Sequence, residues 1–187
     1  MTQQTVSPVR VSVSVRLDQQ RCFEVFTDEM TSWWPEGHHI GEAPIEKVIV
    51  EPFVGGRWYT RHTDGSETDT GVVTAYDAPH GFTVTWQIGA DWAFHDDLVT
   101  TVEVRFTPTD DGRTLVELEH RDLEAYGADA ATMQATFEAP DAWGGPRTGQ
   151  EPTLSQRVAD YQLRAVLDPV KHTIDGTGKL TWRNRSA

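Results

Sequence analysis

The chain has 187 residues, which is enough for one sizeable domain with a buried core, and its formal net charge is -13 at pH 7. That charge argues against nucleic acid as a partner, because nucleic-acid affinity depends on Lys and Arg neutralising phosphates. No stretch approaches the roughly 18 apolar residues of a membrane span, and the first residues lack the pattern of a secretory signal. A lone cysteine, Cys22, forms no internal disulfide. We therefore predict a soluble, cytoplasmic protein without a membrane partner.

The first predicted elements are one strand and one or two short helices. Apolar residues alternate with polar ones from Val9 to Leu17, which is typical of a strand with one buried face. Asp18 is a suitable N-cap for the helix that follows. The apolar positions of that helix recur every three or four residues: Cys22, Phe23, Phe26 and Met30, with Trp33 and Trp34 completing the stripe before Pro35.

The middle of the chain predicts an antiparallel meander. Segments rich in Val, Thr and aromatic residues, separated by Pro, Gly and Asp, occupy 45–50, 56–62, 70–76, 82–88, 98–106 and 114–120. Their spacing is that of hairpins. Because no helices alternate with these strands, a parallel nucleotide-binding sheet is disfavoured.

Two adjacent glycines, Gly55 and Gly56, precede the second strand of this meander. A phosphate-binding glycine loop leads into a helix, whose N-terminal N–H groups then face the phosphate. Here the glycines lead into the strand-like run RWYTRH. We therefore interpret the pair as a tight corner in the sheet.

Helical spacing returns after the meander. The segment 122–138 predicts a helix, and a second helical stripe covers 154–167 before Pro169. The segment 174–182 is rich in turn residues, which predicts a loosely ordered tail.

Several short motifs together resemble one known family. They are the helix running to Phe26-Thr27-Asp28 with Trp33-Trp34, the run PFVGGRW at 52–58, the run TLVELEH at 114–120, and Trp143-Gly144. This combination, over roughly residues 9 to 145, resembles the activator of heat-shock-protein ATPase homologues within the START-like (SRPBCC) superfamily. The resemblance implies an α+β helix-grip fold, in which a curved antiparallel sheet of six to seven strands grips a C-terminal helix. It also implies a hydrophobic cavity between that sheet and that helix, and a sheet corner at Gly55 and Gly56.

The chain departs from this family after Trp143-Gly144. The linker GPRTGQEP at 145–152 breaks helices where the long apolar helix normally begins. We therefore expect a START-like domain at 1–145 and an atypical extension at 146–187 with one helix and a loose tail. Either 154–167 supplies the gripping helix, or the tail leaves one side of the cavity more open. A shift of reading frame in the gene would produce the same change in composition.

Strand phase selects the residues that we expect to line the cavity, because alternate side chains of a strand share a face. The predicted ligand-binding residues are Trp34, Trp58, His62, Phe82, Val84, Trp86, Val104, Leu118 and His120. His62 and His120 are also the candidates for acid–base chemistry, although hydrogen bonding at a strand end is the more common role of such residues. We expect Cys22 to be a core residue, since no nucleophile motif surrounds it. The runs His95-Asp96-Asp97 and His38-His39 lack metal-ligand spacing, so neither a metal nor another cofactor is expected.

Three functions remain open at this point. The favoured one is non-catalytic binding of a small hydrophobic molecule between the sheet and the C-terminal helix. The family resemblance also implies a co-chaperone that stimulates a heat-shock ATPase. The third is a cyclase or aromatase of the same superfamily, with His62 or His120 as the general base and Trp86 positioning an aromatic ring. The sequence is compatible with a monomer or a homodimer.

Overall fold

The computed structural model describes residues 6–139, 159–168 and 173–182. The chain divides into two compact units, Met1–Gly145 and Pro146–Ala187. Within the described ranges, no helix is both long enough and apolar enough to cross a membrane.

The first unit contains one seven-stranded antiparallel sheet with helices before β2 and after β7. The strands are β1 (Val9–Val15), β2 (Ile45–Val50), β3 (Arg57–His62), β4 (Glu67–Asp77), β5 (Gly81–Trp86), β6 (Thr100–Pro108) and β7 (Thr114–Arg121). The helices are α1 (Gln19–Thr27), a 3-10 turn (Met30–Ser32), a second 3-10 segment (Leu123–Asp129) and α2 (Ala130–Glu138). The sheet order is β1-β7-β6-β5-β4-β3-β2. The predicted helix-grip fold and its antiparallel meander are confirmed.

The second unit contains a hairpin of β8 (Ala159–Asp168) and β9 (Thr173–Trp182). Their register runs from Ala159 opposite Trp182 to Asp168 opposite Thr173. The predicted helix at 154–167 is therefore wrong over 159–167, and the predicted loose tail at 174–182 is wrong because β9 occupies it. The apolar residues at 161, 163, 165 and 167 also alternate with period two, and a partner strand satisfies their backbone groups. The described residues do not include Trp143-Gly144, the linker at 145–152 or residues 154–158.

The glycine pair makes the predicted corner between β2 and β3. Gly55 has a φ of +88°, a conformation that side chains with a Cβ disfavour. Its N–H donates to the carbonyl of Val73 at 2.8 Å, and the N–H of Val73 donates to the carbonyl of Gly56 at 2.8 Å. The backbone thus turns sharply while the ladder to β4 continues.

Helix α1 packs against the sheet through its apolar stripe. The Asp18 side chain accepts a hydrogen bond from the N–H of Arg21 at 2.8 Å, as an N-cap does. The ring of Phe23 contacts that of Phe106 edge to face at 5.3 Å, and Cys22 is buried beside it. The predicted cap and the predicted core position of Cys22 are confirmed.

Strand register arranges the concave face of the sheet in rows, because paired residues project to the same side. The three central rows are Val84–Val102–His120–Val9, Phe82–Val104–Leu118–Val11 and Phe106–Val116–Val13. These rows, rather than any single strand, form the wall of the candidate site.

Candidate functional site: an apolar cavity beside a buried polar cluster

A cavity of about 160 Å³ lies between the concave face and the segment from α1 to the first 3-10 turn. The strand rows form one wall, and Phe26, Met30, Trp33 and Trp34 form the other. The lining is apolar except for Ser12. The cavity borders solvent at the edge strand, where Val11 and Val13 are 42% and 53% exposed, and at Trp33, which is 38% exposed. We call this opening, formed by Val11, Val13 and Trp33, the mouth.

Six of the nine residues selected from the sequence line this cavity. They are Trp34, Trp58, Phe82, Val84, Val104 and Leu118. Trp86, His62 and His120 are not part of the lining. Trp86 lies behind Trp58 with the ring centroids 5.5 Å apart.

The sequence selection missed several lining residues of β1, β6 and β7. Val11, Val13, Val102 and Val116 line the cavity as well. Their strand alternation was visible in the sequence, which assigns each of them to one face of its strand. Which faces meet across the sheet depends on the pairing of β1 with β7, and a period-two pattern alone does not reveal that pairing.

Four tryptophans form a continuous chain of ring contacts from the mouth into the core. Centroid distances are 5.8 Å from Trp33 to Trp34, 5.9 Å from Trp34 to Trp58 and 5.5 Å from Trp58 to Trp86. The last two contacts are edge to face, a favourable arrangement for aromatic rings. The indole N–H of Trp34 donates to the carbonyl of His38 at 2.7 Å, which fixes its ring at the cavity wall. This part of the wall is therefore flat-sided and aromatic.

A buried polar cluster of Trp86, Thr100, His120 and Tyr126 lies at the end of the concave face that is nearest α2. Oγ1 of Thr100 donates to the carbonyl of Trp86 at 3.0 Å and lies 2.7 Å from Nε2 of His120. The hydroxyl of Tyr126 donates to the carbonyl of Ile88 at 2.9 Å. Burial raises the pKa of Tyr126 to about 12, while hydrogen bonding with Thr100 and Trp86 acts in the opposite direction. Both His120 and Thr100 are completely buried.

One arrangement of protons satisfies both contacts of Thr100. With the single hydroxyl proton of Thr100 donated to the carbonyl of Trp86, Oγ1 accepts a proton from Nε2 of His120. Nδ1 of His120 is then an unprotonated acceptor, and it has no hydrogen-bond partner among the described residues. Burial lowers the pKa of His120 from 6.5 to about 4, and the charge of Asp122 only partly opposes this. The imidazole is therefore neutral at pH 7.

His62 lies away from the cavity and has two hydrogen-bond partners of its own. Nδ1 donates to the carbonyl of Ala43 at 2.8 Å, and the hydroxyl of Thr68 lies 2.9 Å from Nε2. The imidazole is completely buried, and a Cβ on Gly41 would clash with it. The structure thus gives His62 contacts that hold the chain around 41–43 against β3 and β4.

The histidine–aspartate run at 95–97 does not converge on a single point. Nε2 of His95 lies 2.9 Å from Oδ1 of Asp91, which is outside that run. No group of three or more His, Cys, Asp and Glu side chains able to hold a metal ion occurs in the described part of the chain.

Residues 16–139 match the family described as activator of Hsp90 ATPase homolog 1-like protein. Among solved structures, the anthrahydroquino-gamma-pyrone synthase Txn09 is 35% identical, with 78% of this chain and 94% of that chain covered and a TM-score of 0.52. CalC, a self-sacrificing resistance protein from Micromonospora echinospora, is 25% identical, with 67% of this chain and 79% of that chain covered and a TM-score of 0.52. An HSP90 activator from Plasmodium falciparum is 19% identical, with 63% and 74% covered and a TM-score of 0.41. No curated protein matches the chain.

The family match includes α1 to α2 and every residue that lines the cavity except Val11, Ser12 and Val13 of β1. The chain belongs to the family of activator of Hsp90 ATPase homolog 1-like proteins.

Proposed function

We propose that this protein binds a small, largely apolar organic molecule in the cavity of the concave face. The observation that supports this proposal is a preformed space of about 160 Å³ with an almost entirely apolar lining and a mouth open to solvent. Apolar cavities of this kind favour ligands whose surface leaves water on binding. The lining contributes no charged side chain, so a charged ligand would lose hydration without compensation.

The size and wall of the cavity favour an aromatic ligand. An apolar protein cavity of roughly 150 Å³ holds benzene. One aromatic ring therefore fits inside, and a second ring extends toward Val11 and Val13 at the mouth. The flat faces of Trp34 and Trp58 suit such rings, because stacked and edge-to-face contacts add to the burial of area. The likeness to Txn09, which is named for a polycyclic aromatic product, supports the same ligand class.

Titration of the protein with naphthalene, followed by calorimetry and tryptophan fluorescence, tests the proposal. We expect saturable binding that is lost in Leu118→Trp, because the larger ring fills the space in front of Val11 and Val104. Leu115→Trp is the matched control, since Leu115 is also half-buried on β7 but projects to the opposite face. Absence of saturable binding to the wild-type protein, or equal binding by the two variants, would contradict the proposal.

A ring-forming enzymatic activity is the second candidate. The supporting observation is the 35% identity to Txn09, a protein described as a synthase. The candidate base for removing a proton from a bound ketone is the neutral imidazole of His120, which lies in the same row as the cavity residues Val84 and Val102; its lowered pKa makes it a weaker base than an exposed histidine. Incubation with a synthetic poly-β-ketone would give a cyclised product lighter by one water. A product yield unchanged by the protein would exclude this activity for that substrate class.

Stimulation of a chaperone ATPase is a third candidate, and it rests on the family's name alone. It is tested by adding the purified protein to Hsp90 and measuring the release of phosphate. An unchanged ATPase rate at saturating protein would exclude it.

A further inference from the structure

We infer that Nδ1 of His120 is a hydrogen-bond acceptor for a hydroxyl group of the ligand, so that the cavity selects a phenol over the corresponding hydrocarbon. This inference rests on the proposed binding function and names the chemical class within it. The residues that carry it are His120, which accepts, and Thr100, which holds the imidazole in the accepting form.

The first argument is the direction of the hydrogen bonds in the buried polar cluster. The carbonyl of Trp86 only accepts, so Thr100 donates to it and must accept from Nε2 of His120. The proton of the neutral imidazole is thereby committed to Nε2. Nδ1 presents a lone pair, and a group that donates a proton is the only partner that suits it.

The second argument is that an unpartnered buried acceptor is unusual. Nearly all buried polar atoms of folded proteins have a partner, and an exception calls for an explanation. Nδ1 of His120 has none among the described residues, although the residue exposes no surface, and the same holds for the indole N–H groups of its neighbour Trp86 and of Trp58. A ligand hydroxyl that donates to Nδ1 removes the free-energy cost of an unpaired buried acceptor, whereas a hydrocarbon leaves that cost in place.

The third argument is position. His120 is paired with Val102 and follows Leu118 by two residues on the same face of β7, and both of those neighbours line the cavity. The ring of Phe137 lies 4.5 Å from the imidazole and that of Trp86 lies 6.0 Å from it. Because His120 exposes no surface and does not line the cavity, ligand binding at Nδ1 requires a side chain beside the imidazole to move. The same neighbours keep water from competing for Nδ1.

Nδ1 itself suits neither a carbonyl nor a carboxylate, whereas the indole N–H groups of Trp58 and Trp86, which also lack partners among the described residues, suit a further oxygen of the ligand. A ligand carbonyl would place its own lone pairs against that of Nδ1, and a carboxylate would bring an unpaired charge into an apolar space. A hydroxyl on an aromatic ring is a good donor, and the ring fits the apolar walls. A phenol satisfies both parts of the site.

The test compares 2-naphthol with naphthalene on the intact protein and on His120→Phe. We expect 2-naphthol to be preferred by the wild-type protein, and the ratio of the two dissociation constants to fall by about three- to tenfold in the variant. Because the same ratio is measured for both proteins, the difference in hydrophobicity between 2-naphthol and naphthalene cancels in the comparison. Thr100→Ser, which keeps the hydroxyl, should retain the preference.

A second measurement needs no variant. In ¹⁵N NMR of the wild-type protein, Nδ1 of His120 should show an unprotonated, pyridine-type signal that shifts on addition of 2-naphthol but not of naphthalene. Equal binding of both probes with an unmoved Nδ1 signal would overturn the inference while leaving the proposed binding function intact. Failure of both probes to bind would overturn the proposed function and the inference with it.

Discussion

Nε2 of His120 lies 2.7 Å from Oγ1 of Thr100, and neither residue exposes any surface to solvent. The two residues are diagonal neighbours on β6 and β7, since Val102 is the direct partner of His120. A buried polar contact stabilises the fold only if both of its groups have their hydrogen-bond partners. It also fixes which nitrogen of the imidazole carries the proton.

Replacing Thr100 by Val should destabilise the fold by about 2 kcal/mol, because the N–H of His120 and the carbonyl of Trp86 both lose a buried partner. Thr100→Ser keeps the hydroxyl and loses only a methyl group, so it should cost about 1 kcal/mol. Urea denaturation followed by fluorescence measures both free energies of unfolding. Equal stability of the two variants would show that the hydroxyl makes no net contribution.

The pKa of His120 predicts a loss of stability in acid. Burial lowers this pKa from 6.5 to about 4, so between these values the unfolded chain binds a proton that the folded protein does not. The free energy of unfolding should therefore fall as pH decreases from about 6.5 to about 4, by about 3 kcal/mol in total, and this contribution should not change further below pH 4.

Comparison with a variant that lacks the imidazole separates the contribution of His120 to the pH dependence of stability from the contribution of the carboxylates. The difference in unfolding free energy between the wild-type protein and His120→Phe should change by about 2 to 3 kcal/mol between pH 7 and pH 4.5. Proton NMR of the folded wild-type protein should show no titration of His120 between pH 5 and pH 8. Titration of this residue near pH 6.5 would contradict the prediction.

The sequence was most informative where one local pattern determines one element. Alternating residues predicted β1 and the meander, and Asp18 predicted the start of α1, because a cap and a period-two face depend only on neighbours in the chain. The corner at Gly55 was predictable for the same reason. Its conformation is decided by a few backbone dihedral angles.

Long-range pairing explains what the sequence did not predict. His62 and His120 occupy similar places at the ends of apolar strands, yet only His120 shares a row with cavity residues. The register of β7 against β6 and β1 decides this, and register involves residues about a hundred positions apart. The strand β8 was mistaken for a helix because its apolar residues fit both periods.

Val13→Asp should weaken the binding of naphthalene by about fivefold, or about 1 kcal/mol, because it removes apolar surface from the mouth and adds a charge there. Fold stability should change little, since Val13 is 53% exposed. Val72→Asp is the matched control, because Val72 is a strand valine, 38% exposed, and does not line the cavity. Calorimetric titration of both variants measures the effect, and equal weakening by both would argue against binding through this mouth.

Gly55→Ala should lower the free energy of unfolding by about 1 to 2 kcal/mol, because a Cβ is disfavoured at its φ of +88°. No atom lies within 4 Å of the added Cβ, so the cost comes from the backbone and not from a clash. Gly37→Ala is the matched control, because its Cβ also meets open space but its φ lies outside the left-handed region. That variant should change stability by less than about 0.5 kcal/mol. If urea denaturation gives the same stability for both alanine variants, the corner between β2 and β3 does not depend on the left-handed conformation of Gly55.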